Sequence, residues 1–181
     1  VFVTGEAGSG ESVLAKMGFS LAAIGAVGFA FRAESLAGTH INEVLARFEL
    51  TIDGLRAQTA LHGRKILWIE SLERLMEKDA EQRAAFLDLL RAIKNDPTWR
   101  LLITCRDYSA ETVRSAFFGE VGIPCADIFV PELSDAELDE VTADFPILQR
   151  PMSSDALRRL LKKPFLLDKA VQMQWPTTEP L

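Results

Sequence analysis

Apolar residues arrive along this chain in two alternating patterns, short unbroken runs and stripes that recur every three or four positions. Residues 1–4, Val-Phe-Val-Thr, form a run of the first kind, followed by the glycine-rich turn Gly5-Glu6-Ala7-Gly8-Ser9-Gly10 and a helix over about 12–24. A second strand is predicted at 27–31, helices at 41–50 and 52–61, and a third strand at Ile66-Leu67-Trp68-Ile69, which meets no polar residue until Glu70. Phe86, Leu89, Leu90 and Ile93 give the stripe of another helix, closed by Asn95-Asp96-Pro97, because proline disfavours the helical conformation of its predecessor. Strands follow at 101–104 and 128–130, separated by a helix containing Val113, Phe117 and Phe118.

Strands alternating with helices predict an α/β fold, a five-stranded parallel sheet with helices on both faces. After Pro131 only helical patterns remain, opening at Ser134-Asp135-Ala136-Glu137 in the form of a capping box and continuing through Leu157, Leu160 and Leu161 and through 165–171. The expected organisation is a core at 1–131, a helical subdomain at 132–174 and a linker at 175–181. Val1 already lies inside a strand run, so residues upstream of it are expected as well.

The turn carries candidate chemistry. Gly5-Glu6-Ala7-Gly8-Ser9-Gly10-Glu11-Ser12 fits the phosphate-binding pattern G-x-x-x-x-G-K-[ST] at each fixed position except the lysine, and it stands between a buried strand and a helix. Glycines let successive backbone N–H groups turn inward around phosphate oxygens, and the helix adds its positive N-terminal end. Gly5, Gly8, Ser9, Gly10, Glu11, Ser12 and Val13 are the candidate nucleotide-binding positions, with Ser12 as a magnesium ligand. A glycine-rich turn in an ordinary doubly wound fold is the plainer alternative.

Glu11 is the anomaly. Lysine at this position bridges the outer phosphates as a point charge, whereas like charges about 4 Å apart at an effective dielectric of ~20 cost on the order of 4 kcal/mol. That corresponds to roughly a thousandfold in affinity. Either the glutamate inactivates an otherwise intact ATPase, or the module has naturally lost hydrolysis; the retention of further motifs favours the first.

Those motifs lie at two strand ends. Glu70 follows the apolar run 66–69, where the C-terminal edge of a parallel sheet faces its ligand crevice, so Glu70 is the candidate magnesium carboxylate and Glu73 the candidate for orienting the attacking water. Arg106 ends the run 101–104 at the same edge and is a candidate γ-phosphate sensor. Its alternative is an ion pair with Asp107 or a nearby glutamate. Glu70, Glu73 and Arg106 make up the candidate catalytic set.

These residues together resemble the STAND class of P-loop NTPases, the NACHT and NB-ARC switches. Glu70-Ser71-Leu72-Glu73 is similar to the class's acid, small, apolar, acid motif, Thr104-Cys105-Arg106 to its T-x-R strand end, and Lys163-Pro164-Phe165 to its lid proline motif. The resemblance implies a P-loop sheet with a helical lid, ATP/ADP and Mg2+ as cofactors, and an adenine contact from Pro164. It also implies a regulatory switch within a larger signalling or antiviral defence protein, with other domains of the same protein as partners and homo-oligomerisation on activation. Glu11 makes ATPase activity doubtful, and glutamate replaces the usual aspartate at Glu70. An AAA+-type ATPase and a non-hydrolysing interaction scaffold are the alternatives.

Charge and composition narrow the rest. A net charge of −6 repels nucleic acid. Lys16, Ser20 and three glycines interrupt the apolar stretch 13–31, which therefore reads as a buried helix and strand and not as a membrane span. Cys105 and Cys125 lack metal or redox spacing and read as reduced core residues, consistent with a cytoplasmic protein. His40 and His62 fit no metal motif, which leaves them solvated or capping roles. Acidic residues over 132–144 and basic ones over 150–169 can pair with partners, with each other or with water.

Overall fold

Five strands, β1 (Phe2–Gly5), β2 (Val27–Arg32), β3 (Lys65–Glu70), β4 (Trp99–Arg106) and β5 (Asp127–Val130), make one parallel sheet in the order β2-β3-β4-β1-β5. The computed structural model describes residues 1–173, so the expected linker at 175–181 lies outside the described residues. The chain divides into two compact units, one formed by Val1–Thr4 and Glu11–Phe129, the other by Gly5–Gly10 and the chain from Val130 onward.

In the first unit the apolar runs take the interior of the sheet. β3 lies between β2 and β4 with Phe31 opposite Ile69 and Ile69 opposite Ile103, and its side chains are buried on both faces, as a run without alternation requires. Leu67 and Ile69 belong to the cluster that includes Phe86, Leu89, Leu90 and Ile93 of α4 (Ala80–Ile93) and Val44 and Leu45 of α2 (Ile41–Ala46). Trp68 points to the opposite face, by the period of two along a strand. There α1 (Glu11–Ala22) packs Phe19 on Trp68, ring centroids 5.5 Å apart. Gly28 admits that ring: a Cβ there would come within 2.7 Å of Phe19.

Two expectations change. The helix over 12–24 is not buried, since Val13, Met17, Leu21 and Ile24 are 60–75% exposed. It covers the sheet through residues that include Ala15 and Phe19, leaving its outer stripe in solvent. The helices expected at 41–50 and 52–61 are shorter, at Ile41–Ala46 and α3 (Ile52–Thr59); the first cannot reach 50, because Glu49 adopts a left-handed φ of +58°. His40 caps α2, its Nδ1 accepting from the Asn42 N–H at 3.1 Å. A short helix, α5 (Ala110–Val113), continues into a wide turn that brings Phe117 and Phe118 into the core.

The second unit packs α6 (Asp135–Asp144), α7 (Gln149–Met152), α8 (Asp155–Leu161) and α9 (Pro164–Gln172) around Leu138, Leu148, Leu161 and Leu167. Its acidic and basic segments pair with each other: Arg158 reaches Asp135 at 3.1 Å and Asp139 at 2.8 Å, and Lys162 reaches Asp135 at 3.0 Å. The Lys162 and Arg158 hydrogen bonds hold the Asp135 carboxyl below its ordinary range. The capping box forms as read, with Ser134 Oγ accepting from the Glu137 N–H and the Glu137 carboxylate accepting from the Ser134 N–H at 2.7 Å. Ser134→Ala is expected to cost about 1 kcal/mol in urea unfolding, whereas Ser134→Asp, which preserves the cap acceptor, should stay within about 0.5 kcal/mol.

Candidate functional site

The glycine loop belongs to the second unit and is shaped by two residues that only glycine suits. Gly8 and Gly10 hold φ of +87° and +91°, where a Cβ would meet the backbone, and the Ser9 N–H closes the turn on the Glu6 carbonyl at 3.0 Å. The first turn of α9 is fastened to it. The Phe165 N–H donates to the Gly8 carbonyl at 3.1 Å, a Cβ on Gly10 would lie 3.7 Å from the Pro164 ring, and Lys163 Nζ donates to Glu6 at 3.1 Å. Glu132 lies 3.5 Å from the same ammonium. The Glu6 hydrogen bond, more than Glu132, raises the Lys163 pKa. Of the candidate positions, Gly5, Gly8, Ser9, Gly10 and Pro164 therefore come together in this unit.

The remaining candidates lie in the first unit. Parallel β3 and β4 bring Glu70 and Arg106 to the same C-terminal edge of the sheet, where the Ser71 N–H donates to Thr104 Oγ1 at 2.9 Å. That bond stabilises the left-handed turn at Ser71, φ +57°, which carries the chain from Glu70 to Glu73. Glu70 is half-buried beside Arg32, 3.9 Å away, and lines a small cavity of about 190 Å³ with Arg32, Glu34 and Ser71. A larger cavity of about 460 Å³ opens among Val1, Pro97, Trp99 and Leu101, at the other end of the strands and away from every motif residue.

Glu73 is the acid of the motif that meets Arg106. Its carboxylate accepts from the Arg106 backbone N–H at 3.3 Å and lies 3.8 Å from the guanidinium Nε. On the other side of that guanidinium, Nη1 is 3.7 Å from the carboxylate of Glu11 in the first turn of α1. Glu11 and Glu73 side chains are 11% and 9% exposed, so Arg106 is flanked by two buried carboxylates at ion-pair distance, its Nη1 without a hydrogen-bond partner among the described residues, and the three groups carry one negative charge in excess. The ion-pair alternative for Arg106 thus has partners, though Asp107 is not among them: its carboxylate accepts from the Tyr108 N–H. Ser12 follows on α1, half-buried, and Val13 points into solvent.

Burial beside Glu73 pushes the Cys105 thiol up to about 12. The neutral thiol favours the folded state, so this contribution is complete below about pH 9 and lost as pH rises toward 12. Folded protein at pH 8 is expected to leave Cys105 unreacted with a thiol reagent that labels it in urea; equal labelling rates in the two states would contradict the burial. Among the described residues both cysteines are free, no helix is long and apolar enough to cross a membrane, and no group of three or more His, Cys, Asp and Glu is arranged to hold a metal.

Sequence reasoning does not anticipate the Glu6–Lys163 and Glu70–Arg32 pairs. The motif marks Lys163 only as the neighbour of Pro164, and the charge pattern gives no signal for partners 157 residues apart.

No protein-family model matches the chain, and no curated protein does. Solved structures do match. The Aeropyrum pernix ORC2 protein in its ADPNP–ADP complexes superposes at a TM-score of 0.58, with 13% identity, over 78% of this chain and 44% of that one. Its ADP form gives 0.55 and 12% over 79% and 45%. The Aeropyrum pernix ORC1 protein in complex with DNA gives 0.50 and 15% over 80% and 42%. This is the fold of the P-loop ATPases. The chain spans less than half the length of each match, and at these identities the likeness concerns the P-loop fold alone.

Proposed function

We propose that the chain is the nucleotide-binding module of an AAA+-type P-loop ATPase in which Glu11 has weakened triphosphate binding and disabled hydrolysis. The observation that carries this reading is the sheet order β2-β3-β4-β1-β5 with the glycine loop following its strand β1, in a chain whose fold is similar to that of an ORC protein solved with ADP and ADPNP. The loop fits a phosphate ligand, because the left-handed Gly8 and Gly10 present backbone N–H groups ahead of a helix N-terminus. Ser12 and Glu70 would hold magnesium, which supplies charge neutralisation of the phosphates when bound, the remaining ligands being phosphate oxygens and water. Glu11 does not fit a third phosphate, and no hydrolytic step runs through it.

A second reading, the STAND-type switch, is favoured by the seating of Lys163-Pro164-Phe165 on the loop, since a lid segment tied to the phosphate loop can transmit nucleotide state. In that reading the partners are further domains of the same protein and further copies of it. The ORC1 match with DNA is no argument for DNA here, because this chain carries a net charge of −6.

Calorimetry with ADP and ATP, each with magnesium, on the parent and on Glu11→Lys tests the shared core of both readings. Weak ADP binding, weaker ATP binding and a gain with Glu11→Lys are expected. Absence of binding in both proteins would sink the nucleotide reading and leave an interaction scaffold.

A further inference from the structure

The glycine loop has no lysine of its own, yet a lysine from the far end of the chain stands against it. Lys163 and residues Gly5–Gly10 belong to the same compact unit. Three contacts fix the start of α9 on the loop: the Phe165 N–H donates to the Gly8 carbonyl at 3.1 Å, a Cβ on Gly10 would lie 3.7 Å from Pro164, and a Cβ on Gly8 would lie 3.9 Å from Lys163 Cβ. The Lys163 backbone is held as well, its carbonyl accepting from the Leu166 and Leu167 N–H groups at 2.9 and 3.0 Å. Its side chain makes no capping bond and carries the ammonium on a flexible four-carbon stem. That ammonium donates to Glu6 in the loop at 3.1 Å and lies 3.5 Å from Glu132. All three side chains are partly exposed, and ion pairs in such surroundings are weak.

We infer that Lys163 is the phosphate-binding cation of this loop, supplied from the start of α9 in place of the lysine that the loop pattern has at position 11, and that Glu6 is its partner in the free protein. The ligand class is a diphosphate group, inorganic or carried by a nucleoside. The inference rests on the nucleotide reading for that class, and every group it uses lies in the second unit. Left-handed Gly8 and Gly10 turn backbone N–H groups toward a phosphate, and an ammonium whose stem starts beside Gly8 reaches the same phosphate by turning away from Glu6. One anion then replaces another at the ammonium. Glu6, the most exposed of the three side chains, is left to water.

Calorimetry with inorganic pyrophosphate and with ADP, on the parent chain, Lys163→Gln, Glu6→Gln and the double variant, tests this. Both single changes break the same ion pair, so a merely structural tie between α9 and the loop predicts that both weaken binding. A phosphate-binding cation predicts opposite signs. Lys163→Gln should lose about tenfold and Lys163→Arg should recover most of it, whereas Glu6→Gln should gain about fivefold. With Lys163→Gln already in place, the Glu6→Gln gain should fall below about twofold. Melting temperatures without ligand should move little for either single change, as expected of an exposed pair, so that a loss of binding reads the ligand and not the fold. Unchanged pyrophosphate affinity in Lys163→Gln, or a loss of affinity with Glu6→Gln, would overturn the assignment and leave the nucleotide reading standing. An equal Glu6→Gln gain with and without Lys163 would show that Glu6 repels phosphate directly and would overturn its role as the resting partner. If no variant, Glu11→Lys included, binds pyrophosphate or ADP, the nucleotide reading and this assignment fail together.

Discussion

Phe86→Ala should cost the first unit about 3–5 kcal/mol, as expected when a fully buried aromatic side chain is removed. Phe86 is 0% exposed in α4 and meets Phe117 edge to face, ring centroids 5.1 Å apart at 77°. It links two parts of the core, the α4 stripe that lies over β3 and the turn after α5 that carries Phe117 and Phe118. Truncation leaves a cavity between them that the rigid sheet cannot close, and the edge-to-face pair is lost as well. A single domain is stable by only about 5–15 kcal/mol, so this loss is a large share of the total. Phe86→Leu, which conserves more of the volume, should cost about half as much. Urea unfolding followed by the fluorescence of Trp68 and Trp99 measures both. A loss under about 1 kcal/mol for Phe86→Ala would mean that the core collapses around the gap.

The same sheet shows why the fold was legible. A strand buried on both faces must be apolar at consecutive positions, and Ile66-Leu67-Trp68-Ile69 and 101–104 both have that signature; each forms a central strand. Strand order could not be read locally, because β1 lies between β4 and β5, partners a hundred residues away in sequence. The α1 error has a related cause. Apolar composition over 13–31 predicts burial, but burial also needs a second surface, which Ala15 and Phe19 of the helix find and Val13, Met17 and Leu21 do not.

The candidate site was legible in its residue types and less so in its pairings. Glycines at 8 and 10 are required by left-handed φ, and Glu70, Glu73 and Arg106 reach one sheet edge because parallel strands end together. Which acid meets the arginine was not readable. Sequence reasoning offers Asp107 or a nearby glutamate, and it is the left-handed turn at Ser71 that swings Glu73 toward β4 and leaves Glu70 beside Arg32. The turn depends on a hydrogen bond to Thr104, a contact between two strand ends that no local pattern announces.

Glu11→Lys should raise affinity for magnesium nucleotide at least about tenfold, or about 1.4 kcal/mol. The thousandfold figure from bare repulsion is an upper bound, because Arg106 at 3.7 Å already cancels part of the Glu11 charge. Replacement changes the local charge by two units. The excess of one negative charge among Glu11, Glu73 and Arg106 becomes an excess of one positive, and the introduced ammonium can pair with phosphate while Arg106 keeps Glu73. Stability should move the other way. A cation in the first turn of α1 opposes the helix dipole that Glu11 satisfies, so the free variant is expected to lose about 0.5–1 kcal/mol even as its nucleotide complex strengthens. The two signs together are the test, since a mere relief of strain would raise stability and affinity alike. Calorimetry paired with thermal unfolding in the absence of ligand reads both, and a Glu11→Lys protein that is more stable but binds no better would refute the charge account of this site.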